Sequence, residues 1–465
     1  MQDLLKSGKR TKVTLSDYNF AQDVKNRLFL KKLDTQAIEV LEEILFSSIQ
    51  FPLESLADNL SIEIDDAYKI IESLAPLNLF NFDGRILTVD KDKRKYFETQ
   101  TARFDPDFKP NLDYFQNLLK SLPIEVLPNW YHVPRTSNNI FQSIIDKHLL
   151  TPQTYQRYLT ELLSGDDLVA KVAREVFSDP NLTIPVQTIV TRHNLTREAF
   201  EALAIALEFN ILAFVSFVNG VEVLTPFHEW QQYQLFLKES TPTSINDEVV
   251  PFRTYEYAFI QDMTSLLTLC STTNLEVFYF REKEAWQPTS AAQALIEAHI
   301  PIGKDYSIKL LGKLLVLGLA LVEETFLKPT KAAKEWIEIP IAQRAHVTFK
   351  HPHNFLSTQK NYALATQRVI IDIQKSLSCL TSLNWINFKD FMKIAIIPLS
   401  EEKQVSLKKT GKTWSYALPQ YTPQEEEFIQ YIICEWLFES GVTQIGSAGG
   451  KPMFRLTTLG KTILL

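Results

Sequence analysis

The stretch IPVQTIVTRHNLTREAFEALAIALEFNILAFVSFVNGVEVLT (residues 184–225) decides the fold. Apolar residues recur at helical spacing in 184–194 and again in 196–211, and the upstream segment 166–177 is also amphipathic. Two β-favouring runs then flank Asn219-Gly220, which is the strongest short-range signal for a β-hairpin. The stretch and its upstream segment therefore predict three helices closed by a hairpin.

The same order recurs along the chain. Four strand-like runs each end at a leucine and lead into a polar helix start, and these leucines are Leu87, Leu224, Leu327 and Leu456. Three helical patterns precede the first run, and Asp83-Gly84 marks its turn. Before the last run, Thr422, Pro423 and Glu425 predict a capping box with proline at the first helical position, and SAGG (447–450) predicts the hairpin turn. Three helices and a hairpin are the order of a winged helix-turn-helix domain.

The predicted fold class is mainly α with small β-hairpins (α+β), as several winged helix-turn-helix domains in tandem joined by helical connectors. In the third and loosest copy we predict helices over 290–299 and 305–321 and a strand over 322–327. The irregular spacing of the four leucines excludes a solenoid of fixed-length repeats. The predicted segments are a basic N-terminal arm (1–33), winged-helix domain 1 (34–105), a helical connector (106–165), winged-helix domain 2 (166–240), a helical connector (241–288), winged-helix-like domain 3 (289–350), a helical connector (351–383) and winged-helix domain 4 (384–465).

Composition limits the class of protein. The chain has 465 residues, of which 45% are hydrophobic and 11% aromatic, so it is rich enough in apolar side chains to build several cores. Its three cysteines, Cys270, Cys379 and Cys434, are far apart and odd in number, which indicates a reducing compartment. No apolar stretch follows the N-terminal lysines, which argues against a secretory signal. The longest apolar run, 310–322, is shorter than the roughly 20 residues that a membrane span needs, and we predict a buried helix there. We therefore expect a cytoplasmic protein without a membrane partner.

Nucleotide binding and catalysis have no support in the motifs. Gly460-Lys461-Thr462 resembles the end of a phosphate-binding loop, but Arg455 stands where its first glycine belongs, and Ser406 does so for Gly411-Lys412-Thr413. No nucleophile elbow, HExxH or CxxC motif occurs. The expected protein is not an enzyme and takes no cofactor.

A histidine cluster is the one candidate for metal binding. His346, His351 and His353 fall within eight residues, but no cysteine pair or nearby carboxylate completes the set and Pro352 breaks any helix that would align them. We predict a polar loop and no metal site.

The net charge of −7 falls short of the basic footprint of a protein that grips nucleic acid over its whole surface, so any contact must be local. Residues 1–32 carry eight lysines and arginines against three aspartates, and this arm is either a phosphate-binding segment or a solvated tail. The third helices of domains 1 and 4 are acidic, which disfavours groove reading. Basic residues occur instead at domains 2 and 3 and in two clusters near the predicted wings, 91–95 and 403–412, where solvated charge is the alternative explanation. The candidate nucleic-acid contacts are Lys6, Lys9, Arg10, Lys12, Arg192, His193, Arg197, Lys304, Lys309, Lys313, Lys408, Lys409 and Lys412.

GLALVEETFLKPTKAAKEWIEIPIAQRA (318–345) resembles the helicase-associated winged-helix modules found at the N-terminal side of XPB-type helicases and as stand-alone bacterial proteins. FRLTTLGKTILL (454–465) is similar to the closing strand of winged-helix regulators. The resemblance implies tandem winged helices associated with nucleic acid, without motor activity because no Walker loop is present.

Two functions remain open. The first is an accessory or regulatory protein of transcription or helicase action that touches DNA through local basic patches. The second is a protein–protein interaction scaffold whose winged helices bind protein partners without DNA.

Overall fold

The computed structural model describes residues 19–105, 107–134, 139–239, 244–245, 249–350, 367–378, 380 and 384–464. Helices predominate in these residues, and the strands form five small antiparallel sheets, so the α+β class is confirmed. The chain divides into two compact units. The first comprises the described residues up to Glu239 together with Val405–Ala417, and the second comprises the remainder. No described helix has both the length and the apolar composition required to cross a bilayer.

The helices, in chain order, are α1 (Phe20–Leu30), α2 (Thr35–Phe46), α3 (Leu53–Leu60), α4 (Ile64–Leu74), α5 (Lys91–Thr101), α6 (Leu112–Leu119), α7 (Leu127–Trp130), α8 (Ile140–Ile144), α9 (Pro152–Leu163), α10 (Leu168–Ser178), α11 (Val186–Arg192), α12 (Arg197–Phe209), α13 (His228–Glu239), α14 (Ala258–Thr272), α15 (Ser290–His299), α16 (Lys304–Val316), α17 (Lys331–Glu338), α18 (Ile341–Lys350), α19 (Gln367–Ser378), α20 (Phe388–Ile394), α21 (Pro423–Tyr431), α22 (Leu437–Glu439) and α23 (Thr458–Leu464). A π-helical turn, Ile432–Trp436, joins α21 to α22.

The strands are β1 (Gln50–Pro52), β2 (Phe80–Phe82), β3 (Ile86–Val89), β4 (Ile184–Pro185), β5 (Phe214–Val218), β6 (Val221–Thr225), β7 (Ser244–Ile245), β8 (Val250–Pro251), β9 (Leu275–Phe280), β10 (Ala285–Pro288), β11 (Ala320–Glu323), β12 (Phe326–Pro329), β13 (Trp385–Asn387), β14 (Ser406–Thr410), β15 (Thr413–Ala417), β16 (Thr443–Ala448) and β17 (Lys451–Leu456). The sheet orders are β1-β3-β2, β4-β6-β5 and β14-β15 in the first unit, and β10-β9-β12-β11 and β7-β13-β17-β16-β8 in the second.

Two sets of three helices with a small sheet build most of the first unit. Helices α2, α3 and α4 enclose a core with Leu41, Ile44 and Leu87, each fully buried. Helices α10, α11 and α12 lead into the hairpin β5–β6. Asn219 and Gly220 both have positive φ, 52° and 76°, as a type I′ turn requires. The predicted helices and hairpin turns of both regions are confirmed.

The second unit contains two further sets. Helices α14, α15 and α16 pack under the sheet β10-β9-β12-β11, while α19 to α23 pack with the sheet that contains β13, β16 and β17. The capping box of Thr422 and Glu425 is confirmed, and so is the turn at Gly449-Gly450, where both φ angles are positive. The closing stretch is strand β17 followed by α23, in which Gly460 lies so close to the backbone of Val442 that a Cβ would contact its carbonyl oxygen at 2.1 Å.

Three predicted boundaries were wrong. The connector 241–288 contains helix α14 but also the hairpin β9–β10, because Leu275 and Val277 alternate with exposed residues and β9 pairs with β12. The apolar run 310–322 is not one helix: α16 ends at Val316, since Gly318 takes φ +66° and the chain continues as β11.

The third correction concerns the hairpin β14–β15. It lies inside the segment predicted as domain 4 (384–465), yet it belongs to the first unit. The backbone N–H of Leu407 donates to the carbonyl of Leu150 at 2.7 Å, and the Tyr416 hydroxyl donates to the carbonyl of Leu149 at 3.0 Å. These two hydrogen bonds fix the hairpin beside the turn that follows α8.

Candidate nucleic-acid interface

Helix α12, the third helix of its set, is buried on every side along most of its length. Its residues from Phe200 to Phe209 are all buried, and it packs against α1 and α10. Arg197 at its start donates to Glu201 at 2.9 Å and to Glu222 at 2.6 Å. A helix buried in this way has no face left for a DNA groove, and its guanidinium is already neutralised within the unit.

Arg192 and His193, the other two predicted contacts of this region, share one acceptor. The Arg192 guanidinium pairs with Glu175, and Nε2 of His193 lies 2.8 Å from the second oxygen of the same carboxylate. Arg192 remains partly exposed, but its charge is matched locally. Both side chains are therefore weak candidates for phosphate contacts.

Helix α16 gives the clearest correction of a predicted site. Lys313 is 1% exposed, and its Nζ donates to Glu439 at 2.9 Å, so it cannot reach a phosphate. Lys309 pairs with Glu435. Lys304 is exposed at the start of the helix and forms no ion pair with any described residue. Of the three predicted contacts on α16, one remains available.

The remaining predicted residues divide by location. Lys6, Lys9, Arg10 and Lys12 lie outside the described residues. Lys408, Lys409 and Lys412 are exposed on the hairpin β14–β15. Lys409 lies on the same face of the ribbon as buried Leu407, while Lys408 lies on the opposite face and Lys412 at the turn.

A groove in the first unit collects basic side chains from separate segments. We call it the lysine groove; its volume is about 550 Å³, and it runs between α5 and α6. Its lining residues are Lys95, Glu98, Thr99, Ala102, Phe108, Lys109, Asn111, Asp113, Tyr114, Asn117 and Lys120. One of its lining residues, Lys95, belongs to the basic cluster noted at 91–95.

Three lysines of this groove are not neutralised. Lys95, Lys109 and Lys120 are exposed and form no ion pair within the described part of the chain. The lining has two acidic residues, and both are engaged: Glu98 by Arg94, whose Nε lies 3.0 Å from its carboxylate, and Asp113 by Lys409 at 2.9 Å. The groove therefore presents net positive charge on a concave wall, which concentrates the potential felt by an anion.

A buried charge network supports the floor of the groove. The Arg103 Nε donates to the Tyr114 hydroxyl at 2.6 Å, and its Nη2 donates to Glu208 at 2.8 Å. Arg27 donates to the same Glu208 oxygen at 3.0 Å. Burial works against the charged form of Arg27, but the carboxylates of Asp23 and Glu208 outweigh it and raise the pKa of Arg27 above its usual value. The ring of Phe108 stands edge-on to Tyr114, with centroids 4.9 Å apart.

Asp113 connects the groove to the hairpin β14–β15. Its Oδ1 accepts from the ammonium of Lys409 at 2.9 Å and from the Trp414 indole N–H at 3.2 Å. The same ammonium lies 5.3 Å from the centre of the Trp414 ring. The groove thus gains a basic and aromatic edge from a segment about 300 residues away in the sequence.

Sequence reasoning missed Lys109 and Lys120 because each stands alone in the chain. They flank α6, one before its cap residue Asn111 and one at its C-terminal end. The sequence contains part of the signal, because the spacing of Lys109 and Lys120 places them at the two ends of one short helix. Their proximity to Lys95 depends on the packing of α5 against α6, which the sequence does not show.

Within the described residues, no group of three or more histidine, cysteine, aspartate or glutamate side chains is arranged to hold a metal ion. His346 lies in helix α18 and not in the predicted polar loop, and its companions His351 and His353 lie outside the described residues, as does Cys379. Burial raises the pKa of the Cys270 thiol to about 11 and that of Cys434 to about 12, so both stay protonated near neutral pH.

Comparison with known proteins assigns no family, since no family model matches the chain and no curated protein matches it.

Proposed function

We propose that the chain is a tandem winged-helix protein without catalytic activity, an accessory or regulatory protein that binds the phosphate backbone of a nucleic acid in the lysine groove. One observation carries the proposal: Lys95, Lys109 and Lys120 come from different segments, line one groove, and form no ion pair within the described residues. The winged-helix assignment rests on the repeated order of three helices and an antiparallel hairpin.

The third helices are poor candidates for the contact. Helix α4 has an exposed face but is acidic, with Asp65 and Asp66 in its first turn, and α21 has Glu425 and Glu426 in its first turn. Carboxylates at these positions would repel phosphates. Helix α12 is buried. The proposal therefore assigns binding to a groove beside the helix sets.

The chemistry of the groove suits a phosphodiester backbone. Lysine ammonium groups act as point charges for phosphate, and the side-chain amides of Asn111 and Asn117 add neutral hydrogen-bonding groups. Aromatic rings at Phe108 and Trp414 offer surfaces on which unpaired bases can stack. Binding of this kind carries little sequence information.

Fluorescence anisotropy with labelled single-stranded and duplex oligonucleotides at low salt tests the proposal. The triple variant Lys95→Gln, Lys109→Gln, Lys120→Gln should bind about 30- to 100-fold more weakly than the wild type, at about 1 kcal/mol or less per phosphate contact.

The matched control replaces three exposed basic residues of the same unit, Arg157, Lys171 and Lys238, by glutamine, which removes the same total charge. The control should stay within about threefold of the wild type. Equal losses in both variants, or no binding by the wild type at low salt, would contradict the proposal.

A second candidate function is supported by the exposed face of α4, which we call the α4 surface. Ile64 and Tyr68 are 50% and 39% exposed, and Asp65 and Glu72 lie on the same helix. Apolar side chains within acidic ones complement a partner segment that is both apolar and basic. This is the scaffold function, with a protein as the occupant.

Cross-linking mass spectrometry of the chain with its cellular partners, from a benzophenone placed at Glu72, tests this candidate. When the rest of the chain is wild type, a partner peptide rich in lysine or arginine should cross-link to the probe. The cross-link should be lost when Ile64→Ser and Tyr68→Ser are added. The control variant Tyr279→Ser, at a side chain 47% exposed in the second unit, should leave it unchanged. Cross-links that survive the α4 variants would remove the candidate.

A further inference from the structure

A cavity of about 330 Å³ lies in the second unit, apart from the groove assigned above. Four aromatic rings surround it, those of Phe252, Phe259, Tyr306 and Phe438. Adjacent rings meet edge-on, with centroids 5.1 Å apart for Phe252 and Tyr306 and 6.2 Å apart for Phe259 and Phe438. A dry apolar cavity of about 150 Å³ already holds benzene, so this one has room for a two-ring molecule.

The rings are held in place by polar contacts behind them. The Tyr306 hydroxyl donates to Asp262 at 2.9 Å, and Arg253 donates to the other oxygen of Asp262 at 2.7 Å. Phe438 and Phe259 are buried, whereas Phe252 is 47% exposed and forms part of the mouth. The walls are therefore preformed and the entrance is open.

Charge at the cavity is balanced. Two lysines and three acids line it, and a third lysine pairs with one of those acids from behind; the six residues are Lys304, Lys309, Lys313, Asp305, Glu435 and Glu439. With three charges of each sign, the lining favours neither an anion nor a cation. An uncharged ligand avoids the cost of leaving one of these charges opposed.

One acceptor remains unsatisfied. Glu439 is 2% exposed; its Oε2 accepts from Lys313 at 2.9 Å, while its Oε1 has no hydrogen-bond partner among the described residues. An unpaired buried carboxylate oxygen is costly, and a ligand that donates to it removes that cost. Desolvation of this kind is also what raises the pKa of Glu439.

We propose that this cavity binds a small uncharged aromatic molecule with one hydrogen-bond donor, of the phenol or indole class, with its rings between Phe252 and Tyr306 and its donor on the carboxylate of Glu439. This site is independent of the nucleic-acid proposal. It needs no reaction, since the ligand is bound and released unchanged.

Titration of the full chain with indole and with 1-methylindole, followed by ligand-observed NMR or calorimetry, tests the proposal. The two probes have nearly the same shape, but only indole carries an N–H donor. Indole should bind at least tenfold more tightly than 1-methylindole, because the methylated probe leaves Oε1 unpaired. Absence of indole binding, or equal binding of both probes, would overturn the proposal.

Two variants locate the site. Phe252→Ala at the mouth should weaken indole at least fivefold, whereas Phe278→Ala, 41% exposed on β9 and outside the cavity lining, should not. The double variant Lys313→Met, Glu439→Leu removes the buried ion pair without leaving a lone charge, so it keeps the fold. It should bind both probes equally; a retained preference for indole would show that the donor meets another group and would refute the assignment.

Discussion

The basic side chains of helices α12 and α16 differ from those of the lysine groove in one respect that the sequence does not show. Arg197, Lys309 and Lys313 each meet a carboxylate, and Lys313 is buried with it. Lys95 and Lys109 are exposed and form no ion pair within the described ranges. The two groups of basic residues cannot be told apart in the sequence. Only the lysines of the groove have a charge that is available to a ligand.

The difference shows that the availability of a charge depends on its partners. A carboxylate about 25 residues away neutralises Arg197, and one 126 residues away neutralises Lys313. Removing one partner of a buried ion pair destabilises the folded unit, whereas an exposed charge without an ion-pair partner is free to bind. Each prediction below tests one side of this comparison.

Loss of Glu208 should have the largest effect. Glu208→Gln leaves Arg27 and Arg103 buried around a neutral amide, and the free energy of unfolding should fall by about 4–5 kcal/mol. Urea denaturation followed by circular dichroism measures it. Glu198→Gln, at an exposed position on the same helix, should change stability by less than about 0.5 kcal/mol. A small effect at Glu208 would mean that the network is not a stabilising paired set.

Lys313→Met should cost about 3–4 kcal/mol, because it leaves the carboxylate of Glu439 buried without its cation. Adding Glu439→Leu to it should recover most of the loss. The double-mutant cycle is measured by thermal and urea unfolding. If Lys313→Met alone were neutral, Lys313 would not be the buried, paired residue described above.

The free energy of unfolding should depend on pH through the titration of Glu229. Its carboxylate accepts a hydrogen bond from the backbone N–H of Leu112 at 3.1 Å, at the start of α6. Burial raises the pKa of Glu229 from about 4.5 to about 7, and the nearby charge of Asp113 adds to this. Between those two values the unfolded chain loses its proton while the folded chain keeps it, so stability falls as the pH rises.

Relative to Glu229→Gln, which has no such proton, the wild type should lose about 2–3 kcal/mol of stability between pH 5 and pH 8 and then level off. Unfolding midpoints in urea at several pH values give the difference. Parallel curves for the two proteins would contradict a raised pKa at this position.

Asp113→Asn should have the smallest effect of these variants. It should strengthen oligonucleotide binding, whereas the loss of the groove lysines weakens it. It removes the carboxylate that Lys409 and the Trp414 indole share, so a fourth lysine becomes available at the groove edge. Oligonucleotide affinity should rise about two- to fivefold in anisotropy titrations. Unchanged or weaker binding would indicate that Lys409 and Asp113 lie outside the contact.

The sequence predicted the local elements well. The I′ turn at Asn219-Gly220 and the capping box at Thr422 depend on residues within a few positions of each other, and both are present. Helical periodicity likewise located α2, α3, α10 and α12.

The candidate site was much harder to predict. Lys409 reaches α6 only because β14–β15 belongs to the first unit, and the burial of Lys313 depends on a carboxylate in another helix of its unit. The hairpin β9–β10 was not predicted, because the alternation of buried Leu275 and Val277 with exposed residues is short and directly follows a strong helical pattern. Tertiary pairing, which no local pattern encodes, decided which charges remain.

The salt dependence of oligonucleotide binding tests the central claim most directly. For a single strand, the slope of log affinity against log salt concentration should be shallower in the Lys95, Lys109 and Lys120 triple glutamine variant than in the wild type by about 2, because each lysine releases about 0.7 counterion. The Arg157, Lys171 and Lys238 control should keep the wild-type slope. A groove variant with the wild-type slope would contradict the claim that these three unpaired lysines bind phosphate.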